Sequence, residues 1–279
     1  MINPIAFHFN GNSHRKYSNE EISKLRQVID KNSSKPRSQD ECEILTFDNM
    51  SDDGMLIDSC RKLNLPVINL GEPKRFEELK SSYAVTDNWR SISEIATKAA
   101  GLKGGFLFMH KLFAVYHYLK NNKTKKYVSF FDASDTMLVD SPSAGLDQFK
   151  EEKCHMLFNA ETKCMYWPMA IRTAPIYQDV GKYLINYGDL KKFEEETYND
   201  CLVSDGHKFC YLNSGGFIAE KDYYVSLFEK YLNFMLEFIH LYDQTVMHHF
   251  HFLYYPEIKV DRKCKVFQCA GPNKIELKI

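Results

Sequence analysis

Apolar positions first fall into register at Ile22, Leu25, Val28 and Ile29, which share one face of a helix running to about Lys31. Ser18 and Glu21 form a capping box at its start, with Tyr17 and Ile22 placed as a hydrophobic staple. The polar stretch 32–38 ends it. Residues 43–48 then read as a strand, 55–63 as a helix and 66–71 as a second short strand. A strand, helix and strand of these lengths make a βαβ unit and predict a parallel sheet, which places ligands at the carboxyl ends of its strands. A glycine-containing segment, Gly101-Leu102-Lys103-Gly104-Gly105, precedes an apolar helix over about 106–119. The next run, Tyr127-Val128-Ser129-Phe130-Phe131, is almost continuously apolar, which predicts a central strand. Residues 156–160 read as another buried strand, 211–219 as a strand interrupted by glycines, and 223–238 as a helix apolar all round.

At 279 residues the chain can bury the core of one large α/β domain or of two small ones. Hydrophobic residues make up 44%, enough for a folded globular protein. Lys+Arg 36 against Asp+Glu 37 gives a net charge of -1, so no global field favours nucleic acid or a membrane surface. The basic run Lys120 to Lys126 reads as a solvated loop between a helix and a strand. The chain lacks a secretory start, and no stretch approaches the ~18 apolar residues that span a bilayer, so the expected setting is cytoplasmic or undetermined. Eight cysteines show neither CxxC pairing nor zinc-type spacing and read as buried reduced thiols. No P-loop, GxGxxG, HExxH or GxSxG pattern occurs, which argues against the usual NTPase, Rossmann oxidoreductase, zincin and hydrolase readings.

Candidate chemistry begins where the apolar strand ends. Asp132-Ala133-Ser134-Asp135 puts two carboxylates three apart with no basic neighbour in sequence. Such a pair repels itself unless a cation or proton sits between the two, and Mg²⁺ or Mn²⁺ with oxygen ligands meets that need. An Asx-type turn is the equally weighted alternative. Asn213-Ser214-Gly215-Gly216 inside an apolar strand marks a simple bulge or a close approach of ligand or backbone. Asp243-Gln244 follows an apolar helix, so the carboxylate is either exposed or functional. His248, His249 and His251 have no zinc spacing and read as structural. Lys111, the only lysine or arginine in the 106–119 helix, either reaches a phosphate or lies along the surface.

Taken in order, Phe131-Asp132-Ala133-Ser134-Asp135, Phe158-Asn159-Ala160-Glu161, Trp167-Pro168, Leu212 to Ile218, Asp243-Gln244 and Asp261 to Gln268 resemble the glycosyltransferase domain of the procollagen lysyl hydroxylases. The resemblance covers about Trp89 to Gln268. It implies an α/β GT-A fold, a Rossmann-like mixed, mostly parallel sheet flanked by helices. It implies one domain over 1–279, with a nucleotide-binding half (1–135) and a sugar- and acceptor-binding half (136–279). It also implies a Mn²⁺-bound UDP-sugar and retaining transfer of a hexose, glucose first, to galactosylhydroxylysine of a collagen-like polypeptide. By position, Asp132 and Asp135 would bind the metal, with Thr46, Trp89, Lys111, Ser134 and Gly215 near the nucleotide. Trp167, Asn213 and Asp243 would line the sugar and acceptor pocket.

Two departures stand out. Ser134 occupies the place of a family tyrosine that stacks on uracil. The family's late metal-binding histidine is absent, with Gln268 in its place, which leaves Gln268, water or another residue as third ligand. Alternatives from other classes are an inactive glycan- or collagen-binding module of the same fold and a sugar nucleotidyltransferase. The aromatic run Phe250-His251-Phe252-Leu253-Tyr254-Tyr255 reads as core or as an interface between two copies of the chain.

Overall fold

The computed structural model describes residues 4–9, 19–35, 41–48, 54–82, 108–164, 185, 187–197, 200–204, 206–237 and 243–269. Trp89, Trp167, Tyr17, Ser18 and the glycine segment 101–105 lie outside these residues. The chain opens with strand β1 (Ala6–His8) and helix α1 (Asn19–Ser33), followed by β2 (Cys42–Thr46), α2 (Met55–Lys62), β3 (Ile68–Asn69) and α3 (Pro73–Ser82). Next come α4 (Phe108–Asn121), β4 (Tyr127–Phe131), β5 (Thr136–Leu138), a 3₁₀ turn, α5 (Leu146–Glu151) and β6 (Met156–Glu161). The remainder is α6 (Tyr187–Thr197), β7 (Val203–Ser204), β8 (His207–Lys208), β9 (Tyr211–Glu220), α7 (Lys221–Glu237), α8 (Asp243–Leu253), β10 (Ile258–Val260) and β11 (Phe267–Cys269).

The protein is mixed α/β, with sheets of parallel and antiparallel strands flanked by helices. Its main sheet has the order β10-β6-β9-β4-β2-β3. The expected βαβ unit is present: β2 and β3 pair in parallel across α2. β4 lies inside the sheet, parallel to β2, and all five of its residues are buried. Only β9 runs against the others, pairing antiparallel with both β4 and β6. This strand from the second half of the chain therefore sits between one strand of each half. A smaller sheet, β11-β1-β5, joins both ends of the described chain to the segment after β4.

Strand alternation sends alternate residues into two cores. Val128, Phe130, Phe158 and Phe217 face α4, α7 and α8, whereas Tyr127, Phe131, Leu157 and Ile218 face α1, α2 and the small sheet. On the first face the Phe217 ring stacks on Phe130 at 5.5 Å and on Tyr224 at 5.6 Å, and Tyr224 stacks on Phe228 at 4.4 Å. Aromatic stacking of this kind adds to burial and fixes α7 against the sheet.

α7 is not apolar all round: Tyr224, Leu227 and Phe228 are buried while Asp222, Ser226, Glu229 and Lys230 meet solvent. Its apolar excess is a stripe plus a rim of tyrosines. The 243–253 helix was not expected, because its His-rich apolar sequence lacks a strong helical period. Within it Phe250 is core, whereas Phe252, Leu253 and Tyr255 are exposed. The loop 120–126 is exposed or half-exposed, as its charge suggests. Among the described residues no helix is long and apolar enough to cross a membrane.

Candidate active site

Polar groups gather at the carboxyl end of β4. Past Phe131 the chain turns through 132–135 into β5, so Asp132 and Asp135 flank a tight turn with Ser134 exposed at its tip. The turn is anchored twice. The Asp132 N–H donates to the Gly215 carbonyl at 2.8 Å, and the Ala133 carbonyl accepts from Leu56 N at 3.2 Å in the first turn of α2. A Cβ on Gly54 would lie 2.5 Å from Ala133 O, so only glycine permits that approach.

The glycine run in β9 is a bulge. Phe158 pairs with Phe217 but Asn159 pairs with Asn213, so Ser214, Gly215 and Gly216 bow out of the ladder with β6. A side chain enters the space so made: a Cβ on Gly215 would lie 2.4 Å from His8 Cε1. The bulge is therefore present, and what approaches the glycine is neither ligand nor backbone but the imidazole side chain of His8.

His8 comes from β1, which pairs antiparallel with β5 and parallel with β11, setting His8 opposite Thr136 and Cys269. Its Nδ1 lies 3.0 Å from Thr136 Oγ1 and 3.6 Å from Asp135 Oδ1. His8, Asp132 and Asp135 each offer a ligand atom within 4.8 Å of the others, a group that can hold a metal ion. Two carboxylates with one imidazole suit a hard or borderline divalent cation, so the donor set fits. The loop that brings β11 beside β1 is fixed by buried Asp261, whose carboxylate accepts the N–H groups of Lys265, Val266 and Phe267 at 3.0, 2.6 and 2.8 Å.

The acid pair, read in sequence as lacking a cationic partner, has one. Lys111 is buried rather than lying along the surface, and its Nζ sits 2.9 Å from Asp132 Oδ1 and 2.8 Å from Asp243 Oδ2. Burial works against its charge, but the two carboxylates outweigh burial and hold its pKa well above the usual lysine range. Sequence proximity had concealed the contact, since Lys111 lies a full helix and loop before Asp132. The Nζ also stands 5.7 Å from the centre of the Phe130 ring.

Asp243, only 2% exposed, opens α8, and Gln244 beside it starts a second network. Gln244 Nε2 donates to Glu161 Oε1 and, at 2.9 Å, to the Leu212 carbonyl, while its Oε1 accepts from Ser214 N and Oγ at 3.4 Å. Asn213 Nδ2 donates to Glu161 Oε2 at 3.2 Å, and Asn213 Oδ1 accepts from Gly215 N at 2.9 Å. Glu161 thus ties α8 to the bulge. Burial pushes its carboxyl up to about 7 against the pull of these two amide donors.

Of the residues singled out in sequence, Asp132, Asp135, Lys111, Asp243, Asn213 and Gly215 converge on this corner. Thr46 is fully buried and its hydroxyl donates to the Phe131 carbonyl at 2.7 Å, tying β2 to β4. His8 and the bridging role of Glu161 were missed. Their only trace was a polar residue within, or closing, an apolar run: Ala6-Phe7-His8-Phe9 and Met156 to Glu161. Comparison of the chain with protein-family models and with curated proteins finds no match.

Proposed function

We propose that the chain is a metal-dependent, retaining glycosyltransferase of GT-A type that moves a hexose, glucose first, from a UDP-sugar to galactosylhydroxylysine of a collagen-like polypeptide. The observation that carries this reading is the meeting of His8, Asp132 and Asp135 at the carboxyl end of an interior strand, beside a buried Lys111–Asp243 pair. Ligands of open α/β sheets bind at that end of the strands.

His8, Asp132 and Asp135 would hold the cation, Mn²⁺ before Mg²⁺ because an imidazole joins the oxygens. Bound there, the cation supplies charge neutralisation for a departing nucleoside diphosphate. Lys111 holds Asp132 and Asp243 in place through its two ion pairs. Asp243 is the carboxylate positioned to support positive charge developing at the sugar carbon or to accept a hydrogen bond from the acceptor hydroxyl. Asn213, Gln244 and Glu161 fix the bulge and the start of α8, which sets where Asp243 points. Ser134, at the exposed tip, leaves the nucleotide base without an aromatic platform from that position. The reading as an inactive binding module drew on a missing third ligand, and His8 supplies a candidate for it.

The test is release of UDP from a panel of UDP-sugars, with and without Mn²⁺ and with a glycosylated collagen peptide. Mn²⁺-stimulated UDP release, increased by the peptide, is expected. No release from any donor would reject the assignment.

A further inference from the structure

A second set of side chains that could hold a metal lies under α8, buried except for Cys164 at its half-buried edge. Glu194 of α6 places Oε1 2.6 Å from His248 Nδ1 and 3.4 Å from His251 Nδ1, and the side chains of all three are 0% exposed. Its other oxygen, Oε2, is 4.0 Å from the Sγ of Cys164, three residues beyond the end of β6. Cys164, Glu194 and His248 each offer a ligand atom within 4.8 Å of the others. His248 and His251 stand one helical turn apart and therefore share a face.

The donor chemistry is that of zinc. One thiolate, one carboxylate and one neutral imidazole carry two negative charges, which a dication cancels, so the assembly would be neutral in a place where an isolated carboxylate is costly. Zinc bond lengths of about 2.0–2.3 Å set ligand-to-ligand edges near 3.3–3.7 Å in a tetrahedron. The 4.0 Å between Glu194 Oε2 and Cys164 Sγ is near that range, whereas the 2.6 Å between Glu194 Oε1 and His248 Nδ1 is a hydrogen-bond distance that would lengthen as the ion entered. Sequence spacing gave no hint of it because the ligands come from three separate elements.

We propose that Cys164, Glu194 and His248 form a structural zinc site, with His251 beside it as a contact of the Glu194 carboxylate. Glu194, His248 and the neighbouring His251 are sealed from solvent, so substrate has no route to the ion from that side and it would be structural rather than catalytic. It would clamp the end of β6 to α6 and α8. Those same segments carry Glu161, three residues before Cys164, and Asp243, five residues before His248. The site would thus brace the corner from which Asp243 and Gln244 project. This inference does not depend on the sugar-transfer reading, and either can fail alone.

The test is the metal content of the full chain, expressed in zinc-supplemented medium and dialysed against a mild chelator, together with the absorption of protein grown in cobalt. About one equivalent of zinc per chain and a thiolate-to-cobalt charge-transfer band are expected for the native sequence. The Asp132→Ala/Asp135→Ala variant should keep that zinc. Cys164→Ser should lose the charge-transfer band, and His248→Ala should lose zinc and melt several degrees lower, with no rescue by Mn²⁺. Native protein that holds almost no zinc and shows no cobalt–thiolate band would overturn the proposal. That measurement needs no variant to fold.

Discussion

Among the described residues two clusters mix imidazole with carboxylate, and they differ in how far their carboxylates meet solvent. In the first, the Asp132 and Asp135 side chains are 29% and 21% exposed at the end of β4. In the second, Glu194, His248 and His251 are closed off entirely. An exposed carboxylate can exchange one ligand for another and admit a substrate, whereas a sealed one can only hold its neighbours. On the readings proposed above, similar side chains would serve opposite ends, turnover in the first cluster and rigidity in the second. α8 links the two, with Asp243 and Gln244 at its start and His248 and His251 further along.

The strongest way to break this contrast is to remove the open cluster. Asp132→Ala/Asp135→Ala is expected to lower Mn²⁺-dependent UDP release by a factor of ~10³ or more, read in a steady-state assay. Lys111→Met comes next, because it leaves Asp243 buried without its cation. A loss of about 3–5 kcal/mol, measured by urea unfolding, is expected. An unchanged midpoint would mean that Asp243 finds another partner or takes up a proton.

Glu161 gives a pH signature. Its folded pKa, about 7, lies above the ordinary 4.5, so between those values the folded state holds the proton more tightly than the unfolded chain. This group's contribution is full below about pH 4.5 and falls as pH rises towards 7. Glu161→Gln should remove that fall, a difference of roughly 3 kcal/mol between the two unfolding profiles. Parallel profiles would contradict the assignment. The smallest expected effect is that of Gly215→Ala, whose new methyl group would displace the His8 ring. Mn²⁺ affinity should drop about 10–100-fold by calorimetry, with zinc content unchanged.

Much of the fold was legible because its signals are local. The 127–131 strand was almost continuously apolar, as befits an interior strand buried on both faces. The β2-α2-β3 unit followed from length and order. The short strands β1, β5, β10 and β11 were not legible: three residues carry no period, and partners set at the far end of the chain define them. α8 escaped for another reason. His248 and His251 face buried Glu194, so polar positions that usually mark a helix's outer face are turned inward.

The amino-acid sequence alone determined that an acidic pair closes an apolar strand and that glycines interrupt a neighbouring one, since both are statements about adjacent residues. Only the tertiary structure decided what those features meet. The turn 132–135 acquired an imidazole from β1, at a separation of 128 residues between His8 and Thr136, and a cation from α4. The bulge became the space for that imidazole. Contacts of this kind arise from how sheets and helices stack, and hydrophobic periodicity records which face is buried without recording which residue lies across from it.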